Sequence, residues 1–159
     1  MPSPEGSSVL FRRSHEDVRP RAIEVFARTL QKEVARGRPF DCLITGDAEL
    51  RRLNREFLGT GHATDVLSFP LWGRQSCLPP PFRRRLGCGD LAISVPRARA
   101  QARQFGHTTE QEIRILMLHG LLHLLGMDHD ADGGRMARAE RRWRARLGLP
   151  NGLIERVQS

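Results

Sequence analysis

The sequence predicts an α+β domain: a small mixed β-sheet of about four strands packed with about five helices, with a metal site at the end of a central buried helix. Three observations lead there. Apolar residues recur at helical spacing in some stretches and form short strand-like runs in others. Pro and Gly fall at the borders of those stretches rather than inside them. The 159 residues show no internal repeat and no second-domain boundary, and a chain of this length suits one domain with its own core. Residues 1–7 are expected as a flexible N-terminal tail, residues 8–150 as the domain and residues 151–159 as a C-terminal tail.

Taken in order, residues 9–11 read as a short strand. Over residues 19–36, Ala22, Ile23, Phe26, Leu30 and Val34 recur at helical spacing, with Pro20 near the start and Gly37 past the end. Residues 42–45 read as a buried strand closed by Gly46 and Asp47, and residues 48–57 as a helix with Leu50, Leu53 and Phe57 on one side. A turn-rich loop leads to a strand at 66–69, stopped by Pro70. Residues 71–85, with Pro79, Pro80 and Pro81 ahead of Arg83, Arg84 and Arg85, read as a surface connection. Residues 91–95 are a further strand, and Pro96 opens a helix to Phe105. Thr109 and Glu112 have capping-box spacing. The helix that follows is apolar on nearly every side from 113 to 125, so it is central and buried, and Gly126 can end it in a left-handed turn. A last helix over 132–147 carries Met136, Ala139, Trp143 and Leu147 on one stripe and Arg135, Arg138, Arg142 and Arg146 on a neighbouring one.

Lys and Arg total 26 against 18 Asp and Glu, a net charge of +8 with a pI near 11.1. Lys32 is the only lysine, so 25 of the 26 are arginine, the planar fork that suits phosphate and carboxylate. A codon bias towards arginine contributes to the Arg/Lys ratio but does not explain the net charge. The balance favours a polyanionic partner, nucleic acid first and an anionic membrane second. The apolar fraction of 39% excludes wholesale disorder. The longest apolar stretch, 115–127, is broken by two histidines and is too short to span a bilayer. The N-terminus lacks the apolar run of a signal peptide. Cys42, Cys77 and Cys88 form no C-x-x-C pair, which fits free thiols without a disulfide partner in a reducing compartment.

The informative segment is HGLLHLLGMDH, residues 119–129. His119 and His123 are four apart and so project from one helix face, and the turn at Gly126 can bring His129 back to the same point. Three neutral imidazoles meeting there would make an open site for Zn²⁺ or a similar divalent ion, with a coordination position left for water or substrate. Three unrelated histidines are the other reading, but burying two imidazoles on an apolar helix without a purpose is costly. The spacing is that of the metzincin peptidases, which place a glutamate directly after the first histidine as general base. Here that position is Gly120, so a metallopeptidase would lack its base.

With these residues the chain resembles the YbeY family of bacterial endoribonucleases over residues 43–143. Besides residues 119–129, Asn54, TDVLSFP (64–70) and GDLAIS (89–94) match family blocks in the family's order. The resemblance implies a single-strand-specific, metal-dependent endoribonuclease acting in 16S rRNA 3′-end processing and small-subunit maturation and quality control. It implies a cytoplasmic protein with one Zn²⁺ per chain held by His119, His123 and His129, and ribosomal RNA, the 30S subunit and its assembly factors as partners. One departure is Leu58, where some members carry an arginine thought to assist catalysis. A ribosome-assembly binding factor with a mainly structural zinc is the alternative.

RNA scission can use the substrate's own 2′-OH, so Gly120 is less damaging to a nuclease than to a peptidase. Asp128 could orient His129 or cap a turn. Ser68 and Asp90, at strand ends, could face the metal, with a structural turn role equally open for Asp90, and no general base is assigned. Arg83, Arg84 and Arg85, with Arg135, Arg138 and Arg142, are the candidate phosphate contacts. Aromatics are few and tyrosine is absent, which argues against a broad base-stacking platform.

Overall fold

The computed structural model describes residues 6–58, 65–70, 87–127 and 133–154. In chain order they form β1 (Ser8–Phe11), α1 (Pro20–Glu33), β2 (Asp41–Thr45), α2 (Asp47–Leu53), β3 (Val66–Pro70), β4 (Gly89–Ser94), α3 (Val95–Phe105), α4 (Thr109–Leu124) and α5 (Arg135–Arg146). A π-helical turn, Asn54–Leu58, continues α2. The sheet order is β1-β2-β4-β3; β1, β2 and β4 are parallel and β3 runs antiparallel to β4. The expected mixed sheet of four strands and the five helices are therefore present among the described residues.

Burial follows from strand position. β2 and β4 are inner strands covered on both faces, and every residue in them is buried. β3 alternates, with Leu67 and Phe69 more buried than their neighbours, as an outer strand does. The larger core lies on the face carrying Cys42, Ile44, Leu91 and Ile93, against Ile23 and Leu30 of α1 and Ile113, Leu116 and Leu121 of α4. The opposite face carries Leu43, Leu67, Phe69 and Ala92 against Leu50 and Leu53 of α2. Helix α4 thus has core on nearly all sides, as its sequence requires.

The capping box sits one residue earlier than expected. Thr108 Oγ1 accepts from the Gln111 backbone N–H at 3.1 Å, and Gln111 Oε1 accepts from the Thr108 N–H at 2.9 Å. The two residues expected to form the box are committed elsewhere: the Thr109 hydroxyl donates to Asp17, and Glu112 is buried against His107 Nε2 at 2.6 Å. The domain boundaries also move outward. Ser7 is buried and bonded to Gln31 and to the Phe40 N–H, and Leu149 and Ile154 belong to the core, so residues 151–154 are not a tail. Residues 71–86, with Cys77, Arg83, Arg84 and Arg85, lie outside the described residues. Cys42 and Cys88 are free and buried, and burial pushes both thiols above their ordinary range. Among the described residues no helix is long and apolar enough to cross a membrane.

The segment before α1 is tied to α3 by an ion pair and to the start of α4 by a hydrogen bond. Arg99 donates to both oxygens of Asp17 at 2.7 and 2.8 Å, and Thr109 adds a third bond at 2.7 Å. The Arg99 guanidinium holds the Asp17 carboxyl well below the usual carboxylate range. A carboxyl lowered by folding contributes stability above its unfolded pKa, and that contribution fades as pH falls below about 4. Asp17→Asn is therefore expected to narrow the stability difference between pH 7 and pH 3 by about 1 kcal/mol, a discounted figure because both side chains are about a third exposed. Urea midpoints at the two pH values check it; an undiminished difference contradicts it.

Candidate metal centre

The last turn of α4 ends in a Schellman motif. The Met127 N–H donates to the Leu122 carbonyl at 3.1 Å and the Gly126 N–H to the His123 carbonyl at 3.0 Å. Gly126 has φ +92°, the left-handed geometry this ending needs and glycine supplies without a Cβ penalty. The same turn aims the Met127 carbonyl back at the histidines: His123 Nδ1 lies 3.0 Å from it. A carbonyl oxygen only accepts, so Nδ1 of His123 carries the proton and its lone pair lies on Nε2.

His119 is fixed in the same sense by a different partner. Its Nδ1 lies 2.6 Å from Glu140 Oε2, with both side chains buried. Glu140 Oε1 accepts the Ile154 N–H at 2.8 Å, so the carboxylate accepts at both oxygens. Gly152 makes this closeness possible, because a Cβ there would run into the Glu140 side chain. The segment expected as a C-terminal tail therefore braces the site. The two imidazoles stand with ring centroids 4.9 Å apart and planes at 75°.

Two imidazoles on one helix face, each with Nδ1 directed at an oxygen acceptor, leave Nε2 as the nitrogen that would bind a metal. That donor set fits a borderline-soft divalent ion such as zinc, and the carboxylate–histidine contact is the support that metal-ligating histidines typically have. His129, the expected third ligand, and Asp128 lie outside the described residues, and among the described residues no third His, Cys, Asp or Glu joins the pair.

Comparison with known proteins places the chain. A family model described as Endoribonuclease YbeY matches residues 10–148. The chain belongs to the YbeY family. It is similar to an Endoribonuclease YbeY of Solibacter usitatus, 68% identical over the whole of both chains. It is also similar to one of Nautilia profundicola, 42% identical over 73% of this chain and 77% of that one. A solved structure from Thermotoga maritima shares the fold, with TM-score 0.56 over 86% of this chain and 85% of that one at 23% identity.

Within this YbeY chain the other expected site residues separate. Ser68 lies on the α4 side of the sheet, its hydroxyl donating to the Gly120 carbonyl at 3.1 Å, so it straps β3 to the histidine helix. Asp90 does not share that side. Leu91 and Ile93 face α4, and Asp90 pairs across the ladder with Phe69 of the opposite core. The expectation that it faces the metal is corrected: alternation along β4 puts the sheet between Asp90 and the histidines. Leu58 closes the π-helical turn. Arg135, Arg138 and Arg142 are exposed on α5 and line one cavity beside Met127.

Glu140 is the residue that sequence reasoning missed. It is the single acid of α5 and lies at helical spacing from Met136 and Trp143, on the apolar stripe. A carboxylate at such a position requires a buried partner, which was the legible signal.

Proposed function

We propose that this chain is a single-strand-specific, metal-dependent endoribonuclease of 16S rRNA 3′-end processing and small-subunit maturation and quality control. In this reading it works in the cytoplasm on ribosomal RNA, the 30S subunit and its assembly factors. One zinc per chain is held by His119, His123 and His129. The observation that carries the reading is the paired imidazoles, each with Nδ1–H fixed by a separate acceptor, Glu140 or the Met127 carbonyl. Family membership supplies the reaction class.

A bound divalent ion supplies Lewis-acid polarisation of a phosphoryl oxygen. The chain's own contribution is to hold the two ligand rings rigidly, so that little reorganisation accompanies binding. Glu140 and the Schellman turn do this from opposite sides. With the substrate's 2′-OH as nucleophile, the chain needs no carboxylate at position 120.

The test uses zinc-loaded protein and a labelled single-stranded RNA spanning the 16S 3′ end. Cleavage is expected, lost on chelation and restored by zinc. His123→Ala is the variant of choice, because His123 is half-buried and its loss strips no buried carboxylate of its partner; it is expected to fold and not to cleave. Cleavage undiminished in folded His123→Ala overturns the metal reading. Tight 30S binding with no cleavage by the parent overturns the nuclease reading in favour of a binding factor.

A further inference from the structure

On the far side of the Schellman turn, α1 and α5 enclose a cavity of 530 Å³, within the range of small-ligand sites. Its wall carries five arginines from two elements far apart in sequence: Arg36 and Arg38 after α1, and Arg135, Arg138 and Arg142 on α5. All five are exposed, and among the described residues none is in an ion pair. Among the described residues, the one acid in the lining is Glu33. Like charges converging on a concavity raise its positive potential and draw anions into it.

Two further observations point the same way. Arg36 has φ +52°, a left-handed conformation that L-residues other than Asn and Asp avoid, in the turn two residues past the Val34 cap of α1. The strain falls on a residue of the cavity wall. The floor is Leu122 and Met127, the hydrophobic pair of the turn whose carbonyl orients His123, so the cavity adjoins the histidine site. Trp143, with Arg142 and Arg146 stacked near its ring at 5.6 and 5.1 Å, closes one side.

We infer that this cavity is an RNA-backbone site: it holds phosphates of a single strand next to the bond to be cut. The inference rests on the proposed nuclease function. Guanidinium forks from two directions suit a phosphodiester chain, whose charges repeat along it, better than a single small anion. Arg138 keeps one bond to the Gly133 carbonyl at 3.3 Å, which steadies it on the rim.

The experiment measures binding apart from cleavage, with zinc-loaded protein and a single-stranded 2′-O-methyl RNA oligonucleotide, by anisotropy between 50 and 200 mM salt. Arg138→Gln with Arg142→Gln is expected to weaken binding by about tenfold and to flatten the log–log salt slope by about 1.4, two single-strand phosphate contacts. Arg21→Gln with Arg28→Gln, the same charge removed from the exposed face of α1, is expected to change the slope by less than half as much. Arg36→Gly separates binding from structure: relief of the left-handed strain raises Tm while RNA binding weakens. Equal effects of the two pairs, or Arg36→Gly binding as tightly as the parent, overturn the inference. So does undiminished RNA binding by the cavity pair with lost 30S binding, which assigns the cavity to ribosomal protein. If the parent cleaves RNA and the cavity pair binds like the parent, only this inference falls. If the parent neither binds nor cleaves RNA, the proposed function falls with it.

Discussion

Glu140→Gln is expected to weaken zinc binding by about 10- to 100-fold, the usual cost of losing a carboxylate behind a ligand histidine. The carboxylate accepts two hydrogen bonds, from His119 Nδ1 and from the Ile154 N–H. A glutamine has one acceptor oxygen. If that oxygen takes His119, the amide NH₂ faces another N–H; if it takes Ile154, the NH₂ faces Nδ1 and favours the tautomer whose proton sits on Nε2. Either arrangement loses a bond in a buried place, at about 1–3 kcal/mol. Competition against a chromophoric chelator reads the affinity, and circular dichroism confirms that the variant folds. Glu140→Ala leaves both donors unmet beside a void and is expected to destabilise by about 3 kcal/mol or more. A folded Glu140→Gln that binds zinc as tightly as the parent shows that Glu140 only braces the C-terminal segment.

The reason Glu140 escaped the sequence reading says what a sequence can carry. Helix α4 was legible because its own periodicity states its burial, and the i, i+4 spacing of His119 and His123 fixes their shared face whatever packs around them. Gly126 announced the turn that ends the helix. The partner of His119 comes instead from α5, twenty-one positions on, and no local rule links the two. The misplaced capping box has the same origin, since Thr109 and Glu112 have the right types and spacing but are taken by Asp17 and His107. Asp90 is a different case. Alternation between Leu91, Ile93 and their neighbours puts it on the other face, a period the strand states without any family block. The arginine cavity lies between these extremes: the α5 stripe was readable, while Arg36 and Arg38 join it only through the tertiary path of α1.

Gly120→Glu is expected to abolish folding rather than to create a peptidase. Restoring the glutamate of the H-E-x-x-H pattern treats position 120 as a vacant catalytic post, but the geometry makes it a packing position. A Cβ there would stand 2.8 Å from Leu91 Cδ2 and 3.2 Å from both Ser68 Oγ and Val66 Cγ2. Consecutive helical residues point about 100° apart, so with His119 turned towards Glu140 the next position faces β3 and β4. A glycine in mid-helix sacrifices about 1 kcal/mol of helix propensity, and here that loss lets α4 lie directly on the sheet. Gly120→Ala recovers the propensity but overpacks the buried contact with Leu91 by about 1–3 kcal/mol, so a net loss of about 1 kcal/mol, or roughly 2–4 °C in Tm, is expected. The glutamate adds an unpaired carboxylate to a helix–sheet contact lined by Leu91 and Val66, where the Ser68 hydroxyl is already given to the Gly120 carbonyl. The several kcal/mol this costs is comparable to the entire stability of a domain of about 5–15 kcal/mol. Thermal unfolding of both variants decides it. A Gly120→Glu protein that folds with near-parental Tm would mean that position 120 reaches the metal side, and would favour a peptidase reading that the helix–sheet contact at this position does not support.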